Sequence, residues 1–332
     1  MERGPTTLRV RVPAKINLHL GVGPLRADGY HDVVTVLQTV ALYDRLTLTL
    51  DEGVHAAHPS SRGRMRVSLT LDDGGEGGVG TDGVPAGPDN LVLVAARRLM
   101  AHLGIGGDRT PEDPPVAANG DGPWSRLHLT KRIPVAAGMA GGSADAAAAL
   151  VGLNRLWGAE LEHAELCGIA GLVGSDVPFC VLGGTGLATG TGTSVARVLN
   201  RAHTHWVVGV DREPLSTGEV YAAFDRLEPP PPSDPDGVLQ ALRTGDVDAL
   251  ARTLRNDLEP AAIALRPALD ARREALLDAG ALAAMVSGSG PTLLGLARDE
   301  EHARGIAARV ADHFDAVEVV SAPAGGPEFV TA

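Results

Sequence analysis

Residues 134–145, Pro-Val-Ala-Ala-Gly-Met-Ala-Gly-Gly-Ser-Ala-Asp, join a strand-like segment to a helix-like one. Before them, Leu127, Leu129 and Ile133 in the segment 126–133 fall on alternate positions, the period of a strand with one buried face. After them, Ala146, Leu150, Leu153 and Trp157 recur at intervals of four, three and four, which places them on one face of a helix. The loop therefore delivers Gly141, Gly142 and Ser143 to a helix N-terminus. The first amide groups there have no intrahelical acceptor, the helix dipole favours negative charge, and glycine lets a phosphate reach the backbone without meeting a Cβ. The plainer alternative is a flexible connection with Ser143 as an ordinary N-cap. The loop is neither Gly-x-Gly-x-x-Gly nor a loop closed by Gly-Lys-Ser/Thr, so the two commonest nucleotide fingerprints do not apply.

Outward from the loop, the opening strand is the most patterned segment. Leu8, Val10, Val12, Ala14, Ile16, Leu18 and Leu20 occupy even positions, while Arg9, Arg11, Lys15, Asn17 and His19 occupy odd ones. Strict alternation puts Lys15 and Asn17 together on the face opposite the core, and leaves Arg9 and His19 as ordinary half-solvated polar residues. Downstream, Asn90 to Leu103 carries a helical pattern through Leu91, Val94, Ala95, Arg98 and Leu99. The segments 72–90 and 104–124, rich in Gly, Asp and Pro, read as surface excursions.

The chain of 332 residues is long enough for two domains. We place a boundary near residue 200, giving units of 1–200 and 201–332, where the hairpin-like stretch Gly183 to Thr193 gives way to an apolar strand, Trp206 to Val210. The second unit reads as a strand, several helices, two strands joined by a tight turn at Ser287-Gly288-Ser289-Gly290-Pro291, a helix and a last strand. The proline run after Glu228 is a loop within this unit, since proline lacks the amide a helix needs.

A net charge of -12 argues against nucleic acid as a partner and requires any anionic substrate to be met by local groups. Cys167 and Cys180 have no ligand-like or disulfide-like spacing. No apolar run approaches the ~20 residues of a membrane span, and the N-terminus lacks the apolar core of a signal peptide. A soluble cytoplasmic protein with no required protein partner is the expectation.

Pro13-Ala-Lys-Ile-Asn-Leu18, the loop from Pro134 to Ala144, and Val286-Ser-Gly-Ser-Gly-Pro-Thr292 together resemble the three ordered motifs of the GHMP kinase superfamily, named for galactokinase, homoserine kinase, mevalonate kinase and phosphomevalonate kinase. Arg26-Ala-Asp-Gly-Tyr-His31, Pro88-Asp-Asn90 and Gly174-Ser-Asp-Val-Pro-Phe179 are similar to the branch that acts on 4-diphosphocytidyl-2-C-methyl-D-erythritol. The resemblance runs from residue 8 to about residue 296. It implies a two-domain α/β fold of the α+β type. The N-terminal domain is like the second domain of ribosomal protein S5, the C-terminal domain is ferredoxin-like, and the active site lies in the cleft between them. It also implies transfer of the ATP γ-phosphoryl group to the C2 hydroxyl of the methylerythritol unit.

By motif position the resemblance makes Lys15 the catalytic cation and Asp176 the catalytic carboxylate. A loop carboxylate satisfied by nearby backbone amides is the structural alternative for Asp176. The nucleotide is implied at Pro134, Val135, Ala136, Ala137, Gly138, Met139, Ala140, Gly141, Gly142, Ser143 and Ala144, with Asn90 near the adenine. An Asn before a helix is equally an N-cap. Tyr30 and Tyr221 correspond to the aromatic pair around the cytosine and His31 to the residue that reads its edge, while Asn17 and Thr217 are implied polar contacts. Core packing is the alternative for Tyr221, which shares a helical pattern with Val220 and Phe224.

The usual loop of this family reads Gly-Leu-Gly-Gly-Gly-Ser-Ser; here Met139, Ala140 and Ala144 stand for Leu, one Gly and the second Ser. Alanine tolerates helical dihedrals, so the loop is expected to keep its shape, and Ser143 is left as the candidate contact for phosphate or for the Mg²⁺ that accompanies ATP. Two rivals remain: a homoserine- or mevalonate-type kinase, which should lack the Asp-Gly-Tyr-His block, and a non-catalytic nucleotide-binding regulator on the same fold.

Overall fold

The structure, a computed structural model, describes residues 6–50, 66–74, 81–105, 124–135, 137–228 and 230–331. Its first half is built on two 20-residue antiparallel strands, β1 (Thr6–Leu25) and β2 (His31–Leu50). Then come β3 (Arg66–Asp72), α1 (Leu91–His102), β4 (Trp124–Thr130), α2 (Gly141–Leu156), α3 (His163–Gly171), α4 (Val177–Leu182) and the hairpin β5 (Thr185–Gly190) and β6 (Ser194–Arg197). The chain passes to a second sheet at β7 (Thr204–Val210). It continues through α5 (Thr217–Arg226), α6 (Asp236–Thr244), α7 (Val247–Thr253), β8 (Arg255–Asn256), α8 (Glu259–Leu265) and α9 (Ala268–Asp278). It ends with β9 (Ala283–Val286), β10 (Leu293–Ala297), α10 (Glu300–Val310), β11 (Ala316–Ala322) and β12 (Glu328–Phe329).

The second sheet runs β11-β7-β10-β9 with every pairing antiparallel. Helices separate β7 from the β9–β10 hairpin and α10 precedes β11, which is the split βαβ order of a ferredoxin-like domain. The first sheet runs β12-β1-β2-β4-β3, with β5 also on β2 and β6 on β5. Two short strands from the second half, β8 and β12, pair with β1, so the halves are stitched through the opening strand.

The core of the first half forms where α2 lies on β1 and β2 and against α1. Ala146, Ala147, Ala148, Ala149, Leu150 and Leu153 are fully buried. Alanine is the best helix former, and its small side chain lets the helix axis approach the sheet closely. The largest buried rings carry polar edges that are satisfied: Trp157 Nε1 donates to Ser125 Oγ at 3.0 Å and Trp206 Nε1 to Thr204 Oγ1 at 2.9 Å.

The opening strand departs from the alternation read in its sequence. The even positions Val10 to Leu18 are all fully buried, but Lys15, Asn17 and His19 are buried too, at 5%, 4% and 0% exposure. Register shifts between Pro13 and Ala14 and between Asn17 and His19 interrupt the pleat, and the second half of the chain covers the other face. His19, expected to face solvent, instead bonds through Nε2 to the carbonyl of Ser233 at 3.1 Å, in the loop between α5 and α6.

Among the described residues His19 Nδ1 has no hydrogen-bond partner, and burial lowers the imidazole below its ordinary value of 6.5, opposed by the Ser233 carbonyl and by Asp257 and Asp234. The folded state therefore holds His19 neutral while the unfolded chain protonates, so its contribution to stability is present above that ordinary value and is lost as pH falls toward the lowered one. We predict that lowering the pH from about 7.5 to about 5.5 lowers the Tm of the wild type more than that of His19→Gln. Equal pH slopes of Tm in the two proteins would contradict it.

Candidate active site

Backbone ties bring three loops to one place. Lys15 N–H donates to the carbonyl of Met139 at 3.2 Å, joining β1 to the loop before α2. Ser287 Oγ donates to the carbonyl of Gly138 at 3.4 Å, joining that loop to the β9–β10 turn. Asn256 Nδ2 holds the same turn through the carbonyls of Val286 and Gly288, at 2.9 and 2.7 Å. Together with the Arg26–Tyr30 turn and the start of α5 these loops enclose a cleft of about 1390 Å³. Pockets for a single small ligand run to roughly 300–1,000 Å³, so this cleft is larger than one such ligand needs.

At one end lies the helix start anticipated for phosphate. The N–H groups of Gly141, Gly142 and Ser143 precede the first intrahelical bond, which runs from Ala144 N–H to the Ala140 carbonyl. Ser143 is not the N-cap; Ala140 holds that position, with φ 56° and ψ 35°. Alanine here takes the left-handed region rather than the helical dihedrals expected of it, so the loop is formed with a strained residue at this position. Pro134, Val135, Ala137, Gly138 and Ala140 line the cleft beside the helix start. Met139 and Ala144, also expected near the nucleotide, are fully buried, with their side chains turned into the core. Ala136 lies outside the described residues.

Beneath the loop lies a cluster that the sequence reading did not include. Lys131 Nζ donates to Asp145 Oδ2 at 2.8 Å and to Asp44, and Asp44 Oδ1 accepts the N–H groups of Arg132 and Ile133, at 2.5 and 2.9 Å. Burial, then the charge of Asp44, pushes the Asp145 carboxyl well above its usual range. Burial lowers the Lys131 ammonium, but Asp145 and Asp44 outweigh it and hold the amine above its ordinary value. A lysine just after β4 and an aspartate at the fifth position of the following helix were the available signal; Asp44 is 87 residues away and gave none.

In the middle of the cleft, Lys15 Nζ lies 2.9 Å from Asn17 Oδ1 and 3.5 Å from Asp176 Oδ2. The Lys15 side chain is 6% exposed and that of Asp176 34%. Asp176 stands at the N-cap of α4 yet its side chain caps nothing, so the alternative of a carboxylate satisfied by nearby amides does not hold. Asn17 donates from Nδ2 to Thr35 Oγ1 at 2.8 Å, and Thr35 Oγ1 donates to the His19 carbonyl at 2.6 Å. Both ends of Asn17 are thus spent on aiming Lys15. Asn90 is the N-cap of α1: its Oδ1 accepts Val92 N–H at 2.9 Å and its Nδ2 donates to the Pro85 carbonyl at 2.7 Å, at the edge of the cleft.

The far end is aromatic. His31 and Tyr221 have ring centroids 4.9 Å apart, and Val220 and Phe224 take the core positions of α5 while Tyr221 turns to the cleft. Burial, then the charge of Asp176, pushes the Tyr221 phenol up to about 12, which keeps it protonated. Tyr30 stands 66% exposed at the mouth, on a turn closed by Arg26 N–H to the Tyr30 carbonyl at 2.7 Å. Thr217 Oγ1 and Ser289 Oγ are 3.0 Å apart and link α5 to the β9–β10 turn across the cleft.

Two substitutions test the loop geometry in opposite directions. A Cβ at Gly138, where φ is +69°, would lie 2.4 Å from the Ser287 carbonyl oxygen, so Gly138→Ala should pry the loop from the turn and weaken nucleotide binding about tenfold or more in calorimetric titration. Ala140→Gly relieves the left-handed alanine and should stabilise the fold by about 0.5–1 kcal/mol in denaturant unfolding, after the added freedom of the unfolded chain is deducted. Wild-type affinity in the first, or a less stable second, would count against the geometry.

Models of the GHMP kinases N terminal domain and of the GHMP kinases C terminal match residues 90–184 and 238–316. A 4-diphosphocytidyl-2-C-methyl-D-erythritol kinase of Salinispora arenicola (strain CNS-205) is 46% identical over 317 residues, covering 94% of this chain and 89% of that protein. One of Nocardioides sp. (strain ATCC BAA-499 / JS614) is 47% identical over 302 residues, covering 90% and 91%. The crystal structure of a 4-(cytidine 5'-diphospho)-2C-methyl-D-erythritol kinase aligns with TM-score 0.71 at 29% identity, over 98% of this chain and 100% of its own. Identity at this level across nearly the whole length, joined to two GHMP domains in order, leaves no partial match to explain: the chain belongs to the 4-diphosphocytidyl-2-C-methyl-D-erythritol kinase family of the GHMP kinases.

Proposed function

We propose that the protein transfers the γ-phosphoryl group of ATP to the C2 hydroxyl of 4-diphosphocytidyl-2-C-methyl-D-erythritol, giving the 2-phosphate and ADP, a step of the non-mevalonate route to isoprenoid precursors. The observation that carries the reading is the 3.5 Å approach of Asp176 to Lys15, midway between a helix N-terminus and the His31–Tyr221 pair. Membership of a kinase family implies ATP as donor, and the relatives imply a small acceptor bearing cytidine diphosphate.

The triphosphate lies on the open amides of Gly141, Gly142 and Ser143, and the cytosine lies at His31 between Tyr30 and Tyr221. Asp176 accepts the proton of the tertiary hydroxyl as its oxygen bonds to the γ-phosphorus. The bond from that phosphorus to the bridging oxygen breaks, and ADP departs. Lys15, held by Asn17, meets the charge on the transferring group. No group of three His, Cys, Asp or Glu among the described residues could hold a metal by itself. That suits Mg²⁺, which takes one or two protein oxygens and otherwise phosphate and water, and Ser143 Oγ is the protein oxygen at the cradle. When bound it neutralises charge between the β- and γ-phosphates.

A division of the chain near residue 200 and a cytoplasmic setting belong to the same proposal. The chain crosses between sheets after β6, no helix among the described residues is long and apolar enough to cross a membrane, and both cysteines are free.

The test is ADP release with MgATP and the cytidyl substrate, against mevalonate, homoserine and no acceptor. Turnover confined to the cytidyl substrate is expected; turnover with a rival acceptor, or ATP binding without turnover, would overturn the proposal. Asp176→Asn should cost on the order of 10²-fold or more in kcat with little change in ATP affinity, and near-normal kcat would remove Asp176 from proton transfer. Tyr30→Ala should raise the KM of the cytidyl substrate by roughly fivefold, the loss of about 1 kcal/mol of stacking. An unchanged KM would seat the base elsewhere.

A further inference from the structure

Asp225 is absent from the motifs that mark the site, yet it shares the cleft-facing side of α5 with Tyr221, four residues earlier. Its Oδ1 lies 2.9 Å from His31 Nε2. The histidine is held on three sides by α5: Tyr221 at 4.9 Å between centroids, Phe224 edge-on at 6.1 Å, and the Asp225 carboxylate. Its side chain is 5% exposed, so the ring cannot swing to exchange its nitrogens without losing that packing. Nδ1 has no hydrogen-bond partner among the described residues.

We propose that Asp225 is a positioning residue that fixes the tautomer of His31 and thereby sets the preference of the site for cytosine over uracil. The inference rests on the proposed seating of the base at His31. An ionised carboxylate only accepts hydrogen bonds, so Nε2 must carry the hydrogen that it donates to Asp225. In the neutral ring Nδ1 is then a bare acceptor. Cytosine offers the N4 amino group as a donor, whereas uracil carries a carbonyl oxygen at the same place. The pairing that satisfies one base sets two lone pairs against each other in the second, and a site built around a hydrogen bond rejects most strongly the ligand that leaves its polar group unpaired. The arrangement has the logic of metal-bound histidines, where a carboxylate on one nitrogen decides what the other can do.

The tautomer is read directly from the imidazole ¹⁵N shifts of His31 in the full-length protein at neutral to mildly basic pH, without any turnover. A hydrogen on Nε2 in the wild type, lost as a single state in Asp225→Ala, is the expected result; a hydrogen on Nδ1 in the wild type would overturn the proposal. Kinetics give the second readout, with cytidyl and uridyl forms of the acceptor. Asp225→Ala should raise the KM of the cytidyl form about tenfold, the worth of one hydrogen bond, change kcat far less, and shrink the cytidyl-to-uridyl ratio of kcat/KM by a similar factor. Asp225→Glu, which restores an acceptor-only group, should recover part of the ratio. A ratio unmoved in a folded Asp225→Ala would make Asp225 a structural contact only. An unchanged KM in His31→Ala would instead withdraw the seating of the base, and the specificity claim with it, whatever tautomer the spectra report.

Discussion

The structure is organised around a lysine ammonium in the middle of a buried strand. A charge taken out of water costs several kcal/mol unless acceptors replace the water, and Lys15, with 6% of its side chain exposed, has two: Asn17 and Asp176. Each constrains a different part of the chain. Asn17 is fixed by Thr35 on β2, Asp176 arrives at the head of α4, and the backbone of Lys15 itself bonds to the phosphate loop. Satisfying one cation therefore brings together the cleft floor, the Asp176 carboxylate and the loop before α2.

An acidic protein that binds triphosphate has to concentrate positive potential where the ligand sits. Lys131, in the same cleft, does not supply it. Its ammonium is shared between Asp44 and Asp145, so both of its charged partners lie in the same buried cluster. It acts as a brace, tying the residue after β4 to Asp145 of α2 and to Asp44 of β2, and so holding the loop between β4 and α2. In the proposed seating, phosphate meets local groups: the amides at the start of α2 and Lys15. Such short-range attraction suits a molecule with a net charge of -12, because it does not depend on the overall field.

Elements whose signal is local were legible in the sequence. The helix after the loop, the β9–β10 turn and the succession of elements in the second half follow from periodicity and turn chemistry, and Lys15 and Asp176 were placed by their motifs and meet in the structure. Properties set by distant partners were not. His19 reads as half-solvated until Ser233, 214 residues on, covers it; Asp225 is an ordinary helix-surface residue until His31, 194 residues earlier, packs beside it. Ala140 shows the converse, a residue whose intrinsic preference is overridden by the loop it must close, and Met139 and Ala144 show that the side chain of a motif residue can be buried in the core beside the cleft. Asn17 and Asn90, expected at the ligands, both line the cleft, and their side chains also bond to Lys15 and to the start of α1, partners the sequence did not indicate.

The account rests on Lys15 and Asp176 acting on the two reactants at once. A crystal structure of the ternary complex with a non-hydrolysable ATP analogue and the cytidyl acceptor tests it most directly. The account predicts the C2 hydroxyl within about 3 Å of an Asp176 carboxylate oxygen and Lys15 Nζ at hydrogen-bond distance from the γ-phosphate. A hydroxyl directed away from Asp176, or a γ-phosphate held without Lys15, would contradict it.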